Sequence, residues 1–198
     1  MENFVFIIFL LLCIAVALTV YRRGEHLLKI RLVRIFITVI SIVYFAYWFS
    51  ERSISNFVKD SVVLQIINKL PQALDFYVIK VNNLADGGDR KYELQHSGKV
   101  RPEHYRVEYL KMENSEEYWI AGYLGKKNLV YFSQHSVPNK NMDQILEINN
   151  YINQSRKLSE TAENIINNHR LIDMGRSVWV TLSLLLIFFS IALLIQKK

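Results

Sequence analysis

The chain has 198 residues, a net charge of +6 and apolar side chains at 51% of its positions. A basic balance of this size raises nucleic acid as a partner, but the distribution of charge argues against it. Residues 50–176 carry 17 Lys/Arg against 16 Asp/Glu, while the excess of basic residues lies in 21–34 and at Lys197 and Lys198. Because these basic residues flank apolar runs and form no phosphate-binding face, no nucleic-acid partner is expected.

Three apolar runs predict membrane-spanning helices. The first two lie at 4–20 and 33–49, and the third lies within 177–198, where Val178 to Ile195 has no ionisable side chain. A hydrocarbon core of roughly 30 Å needs about 20 helical residues, with a workable range of about 17 to 25. We therefore expect three spanning helices, the second with Arg34 reaching toward the headgroups.

The first run is expected to stay in the protein as a helix. Its leading residues Met1, Glu2 and Asn3 carry no positive side chain, and the basic cluster follows the apolar run, which is the reverse of a secretory signal peptide. A lipoprotein attachment at Cys13 is not expected either, because leucines precede the cysteine where small residues are required.

The basic loop at 21–32 predicts the orientation in the membrane. Short loops rich in Lys and Arg are retained on the cytoplasmic side. We therefore expect this loop and the C-terminal tail inside an inner or plasma membrane, with Met1 and the segment 50–176 outside. The topology-determining residues are Arg22, Arg23, Lys29, Arg31 and Arg34. Trp48 and Trp179, at the expected outer ends of two helices, agree with this orientation.

The outer segment begins with a stretch that has two open interpretations. Apolar residues recur every four positions from Ile54 to Ile66, and this spacing predicts a helix over 51–70 that ends before Pro71. The sequence VVLQII within the stretch is also compatible with a strand, because it is short and rich in β-branched residues.

Residues 74–135 predict strands. Short stretches rich in Tyr, Val and Ile alternate with turn signals, of which 86–89, with two glycines, is the clearest. Along one of these stretches, Tyr105, Val107 and Tyr109 are expected to share one face. Connections this short favour antiparallel neighbours, so we predict an antiparallel β-meander of about five strands.

The end of the outer segment predicts a long helix over 141–174, with Gly175 as a break before the third membrane span. This helix is expected to cover one face of the predicted sheet. Residues spaced seven apart form a weak heptad seam in two rows: Tyr151, Leu158, Ile165 and Ile172, and Ile148, Ser155, Ala162 and His169. The predicted fold class is thus a membrane protein with three transmembrane α-helices and an extracytoplasmic α+β domain. In that domain two long stalk helices, 51–70 and 141–174, accompany the β-meander.

No combination of residues predicts a catalytic, cofactor or metal site. The single cysteine, Cys13, lies in the first apolar run, so the outer segment has no disulfide and no thiolate ligand. The histidines lack metal-site spacing, although His96 and His135 could meet if their strands are neighbours. The cores of the apolar runs also lack the ionisable residues of ion-coupled carriers. We therefore expect neither an enzyme nor a carrier, and no cofactor.

Aromatic and apolar residues of the outer segment are candidates for binding a protein partner, because Tyr, Trp and Arg are enriched at binding hot spots. The candidates are Tyr105, Tyr109, Trp119 and Tyr123 from the strands and Tyr151, Leu158 and Ile165 from the heptad seam. The alternative for the strand residues is that they form the core of the meander itself.

The function that the sequence supports best is a non-enzymatic integral subunit or accessory protein of an envelope membrane complex. It would present a stalk-and-sheet module to protein partners or to a translocating substrate. The alternative is an extracytoplasmic ligand sensor or an oligomeric membrane effector. The expected partners are other membrane or extracytoplasmic proteins, a second copy of the chain, and the lipid bilayer.

Overall fold

The chain divides into two compact units in the computed structural model. The helical unit consists of Met1–Ser55 and Leu171–Lys198, and the sheet unit consists of Asn56–Arg170. The residues that the structure describes are 2–18, 27–54, 61–82, 90–112 and 115–195.

Three helices are formed by the described residues: α1 at Glu2–Ala17, α2 at Leu27–Ile54 and α3 at Arg156–Ile195. Of these, α2 and α3 are long and apolar enough to cross a membrane. The apolar part of α1, Phe4–Ala17, rises only about 21 Å, against a hydrocarbon core of roughly 30 Å. The structure therefore supports two of the three predicted spans and not the one at 4–20, whose last two residues lie outside the described part.

The helical unit packs around a small apolar core. Val5 and Leu12 of α1 are buried in the same cluster as Phe45 of α2 and side chains of α3. The hydroxyl groups of Thr38 on α2 and Ser190 on α3 form a buried hydrogen bond of 2.8 Å. Small hydroxyl residues at such positions allow two helices to approach closely and to hydrogen-bond in an apolar setting.

Seven strands are formed by the described residues of the sheet unit: β1 Val62–Asn68, β2 Leu74–Asn82, β3 Lys91–Val100, β4 His104–Leu110, β5 Ser115–Leu124, β6 Asn128–Ser136 and β7 Gln144–Ile148. One sheet is antiparallel, in the order β3-β2-β5-β6. The other has the order β4-β1-β7, with β1 antiparallel to β4 and parallel to β7. The combination of helices and mainly antiparallel sheets that the sequence predicted is confirmed.

The helix predicted over 51–70 is wrong for its second half, because Val62–Asn68 forms β1. Residues 62, 64, 66 and 68 are buried and the residues between them are half-buried, which is the period of two of a strand. The strand interpretation of VVLQII is therefore the one that holds. Helix α2 ends at Ile54, and residues 55–60 lie outside the described part.

The described residues of the region 74–135 form five strands, as predicted, but these strands do not form one meander. Although β4 follows β3 in the chain, it pairs with β1 in the three-stranded sheet. In the other sheet, β2 therefore pairs directly with β5. The short connection 101–103 at the end of β3 carries the chain from one sheet to the other, and Glu103 within it adopts a positive φ of 57°. A reversal this tight is compatible with a change of sheet as well as with a hairpin.

The sheet unit has three layers. An apolar core lies between the two sheets and includes Leu64 of β1 and Phe76 of β2. The opposite face of the four-stranded sheet packs against the first part of α3, where Ala162 and Ile166 are buried together with Trp119 of β5. β2 and β5 are therefore covered on both faces, which explains the apolar runs at 76–79 and 118–121 within them.

The helix predicted over 141–174 is also wrong at its start, because Gln144–Ile148 forms β7 beside β1. After β7 the chain runs along the edge of β6. The Phe132 N–H donates to the Ile152 carbonyl at 2.7 Å, and the Gln154 N–H donates to the Phe132 carbonyl at 3.1 Å. These two hydrogen bonds pair backbone groups at the edge of β6, where a strand without a neighbour would leave them unpaired.

The true start of α3 is Arg156, and Ser155 caps it. The Leu158 N–H donates to Ser155 Oγ at 3.4 Å, in the position of an N-cap bond. The helix then continues through Gly175, where a break was predicted, to Ile195. A glycine inside a helix costs only about 1 kcal/mol relative to alanine, which good helix formers on both sides offset.

Candidate functional site

The face of the three-stranded sheet that points away from the inter-sheet core carries a group of apolar side chains. The paired residues on this face are Val63 with Tyr109, Gln65 with Val107, and Ile67 with Tyr105, and Ile145 and Glu147 of β7 extend the second and third rows. We call these eight residues the outer face. Their sequence neighbours along each strand point the other way, as the pleat requires.

The outer face is accessible to solvent. Tyr105 is 64% and Ile145 67% exposed, and Val107 and Tyr109 are also exposed. Scattered exposed apolar residues are ordinary, but adjacent ones on a single sheet face are characteristic of an interaction surface. The eight residues include no nucleophile paired with a base, so the chemistry that they offer is burial of apolar surface and hydrogen bonding by the tyrosine hydroxyls.

Charged residues lie at one end of the outer face. Lys69 Nζ contacts Glu103 Oε2 at 2.7 Å. The hydrogen bond to Glu103 is the main cause that raises the pKa of Lys69, and the charge of Glu147 contributes in the same direction. Exposed ion pairs of this kind contribute little to stability, so their role here is to give the rim of the outer face a mixed charge.

A polar network fixes the strand that carries the two tyrosines. Glu108 of β4 is almost fully buried, and it accepts hydrogen bonds from Gln95 Nε2 at 2.6 Å and from Arg106 Nε at 3.1 Å. Gln95 belongs to β3, so the network links the adjacent edges of the two sheets. With Glu108 held inward, the alternation along β4 places Tyr105, Val107 and Tyr109 outward.

The predicted partner-binding residues fall into two groups. Tyr105 and Tyr109 lie on the outer face, whereas Trp119 and Tyr123 are fully buried under α3 and are core residues. Leu158 packs against that same core.

The other two partner-binding candidates from the seam do not share this environment. Ile165 is half-buried on α3. Tyr151 precedes the helix, is exposed, and donates a hydrogen bond to Gln72 Oε1 at 3.4 Å. The residues that α3 packs against the sheet include Leu158, Ala162 and Ile166, spaced four apart. Leu158 and Ala162 belong to the predicted heptad seam, whereas Ile166 does not.

An arginine and two tyrosines form a cluster at the end of the contact between α3 and the sheet. The sequence alone did not predict this cluster. The Arg170 guanidinium lies 4.8 Å from the ring centroid of Tyr77 and 4.5 Å from that of Tyr123. Its Nε donates to the Tyr77 hydroxyl at 3.0 Å, and its Nη1 donates to the carbonyl of Lys126. Arg170 is 93 residues from Tyr77 in the chain, so no local spacing signals the cluster.

The cluster continues to β3 through charged groups. The Tyr77 hydroxyl donates to Asp75 Oδ2 at 3.3 Å, and His96 lies 2.8 Å from Asp75 Oδ1 and stacks on the Tyr77 ring. Burial raises the pKa of Asp75, but the interactions with His96, the hydrogen bond from Tyr77 and the charge of Arg170 together outweigh burial, so the net pKa lies below its usual value. Burial raises the pKa of Tyr123 to about 12.

The two histidines that could have met are far apart. His96 is on β3 and His135 on β6, the opposite edges of the four-stranded sheet, with β2 and β5 between them. His135 stacks on Tyr118, and burial lowers its pKa. Within the described ranges, no group of three or more His, Cys, Asp or Glu residues is placed to hold a metal ion.

The predicted topology residues are only partly described. Arg22 and Arg23 lie outside the described residues. Lys29 and Arg31 are exposed near the start of α2, whereas Arg34 is buried in the helical unit. The prediction that Arg34 reaches toward the headgroups is therefore at odds with the structure, in which its guanidinium is turned inward.

Comparison of the chain with protein-family models, with curated proteins and with solved structures gives no match.

Proposed function

We propose that the chain is a non-enzymatic, membrane-anchored subunit or accessory protein of a membrane complex, which binds a protein partner through the outer face. The observation that carries this proposal is the exposure of Tyr105, Val107, Tyr109 and Ile145 side by side. Removing apolar surface from water stabilises a complex by about 25 cal/mol per Å² before the costs of association. Tyrosine adds a hydroxyl group and a rigid ring, which suit the centre of a protein interface.

The shape of the outer face favours a protein over a small molecule. Small-molecule sites are concave and bury most of their ligand, whereas one face of a three-stranded sheet is open. The two described cavities, of about 320 and 100 Å³, are lined by none of the outer-face residues. A partner that supplies its own apolar face, such as a helix or a second sheet, matches this surface.

The membrane arrangement is part of the proposal. Helices α2 and α3 would cross the bilayer, and α1 would cross as a third, short span. The positive charges between α1 and α2 support a cytoplasmic position for that connection and an extracytoplasmic position for the sheet unit. The partner would then be a membrane or extracytoplasmic protein of the same envelope.

A second candidate is the extracytoplasmic sensor or oligomeric effector. The observation that favours it is the continuity of α3, which packs on the four-stranded sheet at Ala162 and Ile166 and contributes Val180 and Ile187 to the core of the helical unit. A shift of this helix on the sheet, caused by a ligand or partner, would be passed along the same helix into the membrane.

The proposal is tested by removing one tyrosine from the outer face. We expect Tyr105→Ser to weaken co-purification of the partner from native membranes by roughly 30-fold in affinity, the value of about 2 kcal/mol typical of a hot spot. The matched control is Tyr151→Ser, which removes an exposed tyrosine that lies off the outer face.

A photo-crosslinking residue at position 105 or 145 should give one adduct of the same mass at both sites, and one at the exposed Asn167 should give none. An adduct between two copies of the chain would support the oligomeric effector instead. Equal retention of the partner by both serine variants would refute the outer face as the binding surface.

A further inference from the structure

The helical unit contains a groove between α1 and α3 with a cavity of about 320 Å³. Its lining residues are Val5 and Phe6 of α1 and Leu171, Ile172, Gly175, Arg176 and Trp179 of α3. We call it the α1–α3 groove. Its volume falls at the lower end of the roughly 300–1,000 Å³ that is typical of sites for small organic ligands.

Gly175 leaves space at the wall of this groove. A Cβ atom at this position would have no heavy atom within 4 Å, so the glycine is not required for close packing of two helices. Glycine inside a helix is nevertheless unfavourable by about 1 kcal/mol relative to alanine. Any larger side chain at position 175 would extend into open space beside Ile172 and Trp179, which line the same groove.

The lining of the groove is amphipathic. Val5, Phe6 and Ile172 supply an apolar wall, and Arg176 supplies a positive charge, with Asp173 at 3.1 Å from its guanidinium. Trp179 is held by edge-to-face contact with Phe6, at 5.1 Å between ring centroids. An arginine beside an apolar wall and an indole matches a molecule with an anionic head and an apolar chain.

The position of the groove along α3 indicates that a molecule with an anionic head and an apolar chain would come from the bilayer. Arg176 directly precedes the uncharged stretch from Val178 to Ile195, in a helix that is apolar enough to cross a membrane. In a spanning α3, Arg176 and Trp179 lie where the helix meets the headgroup layer, the level at which arginine and tryptophan side chains contact lipid headgroups. We propose that the α1–α3 groove binds one anionic bilayer lipid, with its headgroup at Arg176 and an acyl chain against the apolar wall.

Quenching of Trp179 by brominated lipid tests this site. The full chain with Trp48→Phe would be reconstituted in phosphatidylcholine vesicles, leaving Trp179 in the groove and Trp119, which is fully buried in the sheet unit. At equal low mole fractions, brominated phosphatidylglycerol should occupy the groove more readily than brominated phosphatidylcholine, by up to about fivefold, because Asp173 already neutralises part of the charge of Arg176. Equal quenching by the two lipids would show only bulk bilayer contact and would overturn the proposal.

Two variants assign the preference to the groove. Gly175→Leu should fill the cavity and abolish the preferential quenching, while Met174→Leu, on the same helix but outside the lining, should preserve it. Arg176→Gln should remove the preference for the anionic lipid, and Arg176→Lys should restore most of it. Each variant with Trp179→Phe added keeps Trp119 as its single tryptophan, and unchanged emission there verifies that the sheet unit is folded. If Gly175→Leu keeps the preference, anionic lipid binds elsewhere and the groove is not its site.

Discussion

Arg170 combines ring contacts with hydrogen bonds at the end of the contact between α3 and the sheet. Its guanidinium stands over the rings of Tyr77 and Tyr123 and donates hydrogen bonds to a hydroxyl and to a backbone carbonyl. An arginine is suited to this position, since its planar group can stack and donate at the same time, which a lysine cannot do. Cation–π contacts of this kind contribute about 0.5–2 kcal/mol, and a charged hydrogen bond adds to that.

We expect Arg170→Met to lower the free energy of unfolding of the sheet unit by about 1–3 kcal/mol, because the Tyr77 and Lys126 partners lose their donor. Arg156→Met is the control, since that side chain is 92% exposed and its ion pair with Glu160 should contribute less than about 0.5 kcal/mol. Urea unfolding would be followed by the fluorescence of Trp119 in the full chain with Trp48 and Trp179 replaced by Phe. Equal stabilities of the two variants would show that the cluster does not hold α3 on the sheet.

Strand β1 has one face in the core between the sheets and one face in the proposed binding surface. Its inward side chains, such as Leu64 and Ile66, are fully buried between the sheets, whereas Val63 and Ile67 belong to the outer face. β1 is the central strand of its sheet, with β4 on one side and β7 on the other. The backbone therefore fixes which residues are inside, and a shift of one position would reverse both faces.

Neighbouring isoleucines of β1 provide a matched pair. We expect Ile66→Ala to cost about 2–5 kcal/mol of stability, because it removes buried methyl groups and leaves a cavity. Ile67→Ala should cost about 1 kcal/mol or less and should instead weaken binding at the outer face. The urea titration used for Arg170→Met measures the loss of stability of both variants. Similar losses for the two variants would fit residues 66 and 67 lying together on one apolar helix stripe, and would contradict the strand.

The wrong predictions for individual helices and strands have specific physical causes. The apolar residues in and around VVLQII fit the spacing of four of a helix as well as the spacing of two of a strand. The strand forms because β1 pairs with β4 and β7, which lie 36 or more residues away in the chain. Alternation correctly predicted that Tyr105, Val107 and Tyr109 share a face. It left open whether Trp119 and Tyr123 bind a partner or form the core, because alternation along a strand does not show which face of the sheet the helix covers.

At the scale of the whole molecule, the number of membrane crossings decides on which side each terminus lies. Helices α2 and α3 meet the length requirement, whereas the apolar part of α1 is about 9 Å shorter than a hydrocarbon core of roughly 30 Å. A short span is tolerated at a modest cost, a fraction of a kcal/mol per Å, when the bilayer thins or flanking residues reach outward. The burial of Val5, Ile8 and Leu12 against the other helices favours insertion of α1 beside them.

Cysteine accessibility distinguishes two crossings from three. In a Cys13→Ser background, Lys127→Cys in the exposed β5–β6 turn should react with an impermeant maleimide on intact cells, and Gly24→Cys should react only after permeabilisation. If α1 crosses the membrane, a cysteine at position 3 (Asn3→Cys) should react like the one at position 127. If α1 stays on the side of the basic loop, the cysteine at position 3 should react like the one at position 24. We expect the first result, because α1 returned to the cytoplasmic side would have to place its apolar surface in water or at the headgroups. Labelling of position 24 but not 127 on intact cells would reverse the proposed orientation and place the outer face in the cytoplasm.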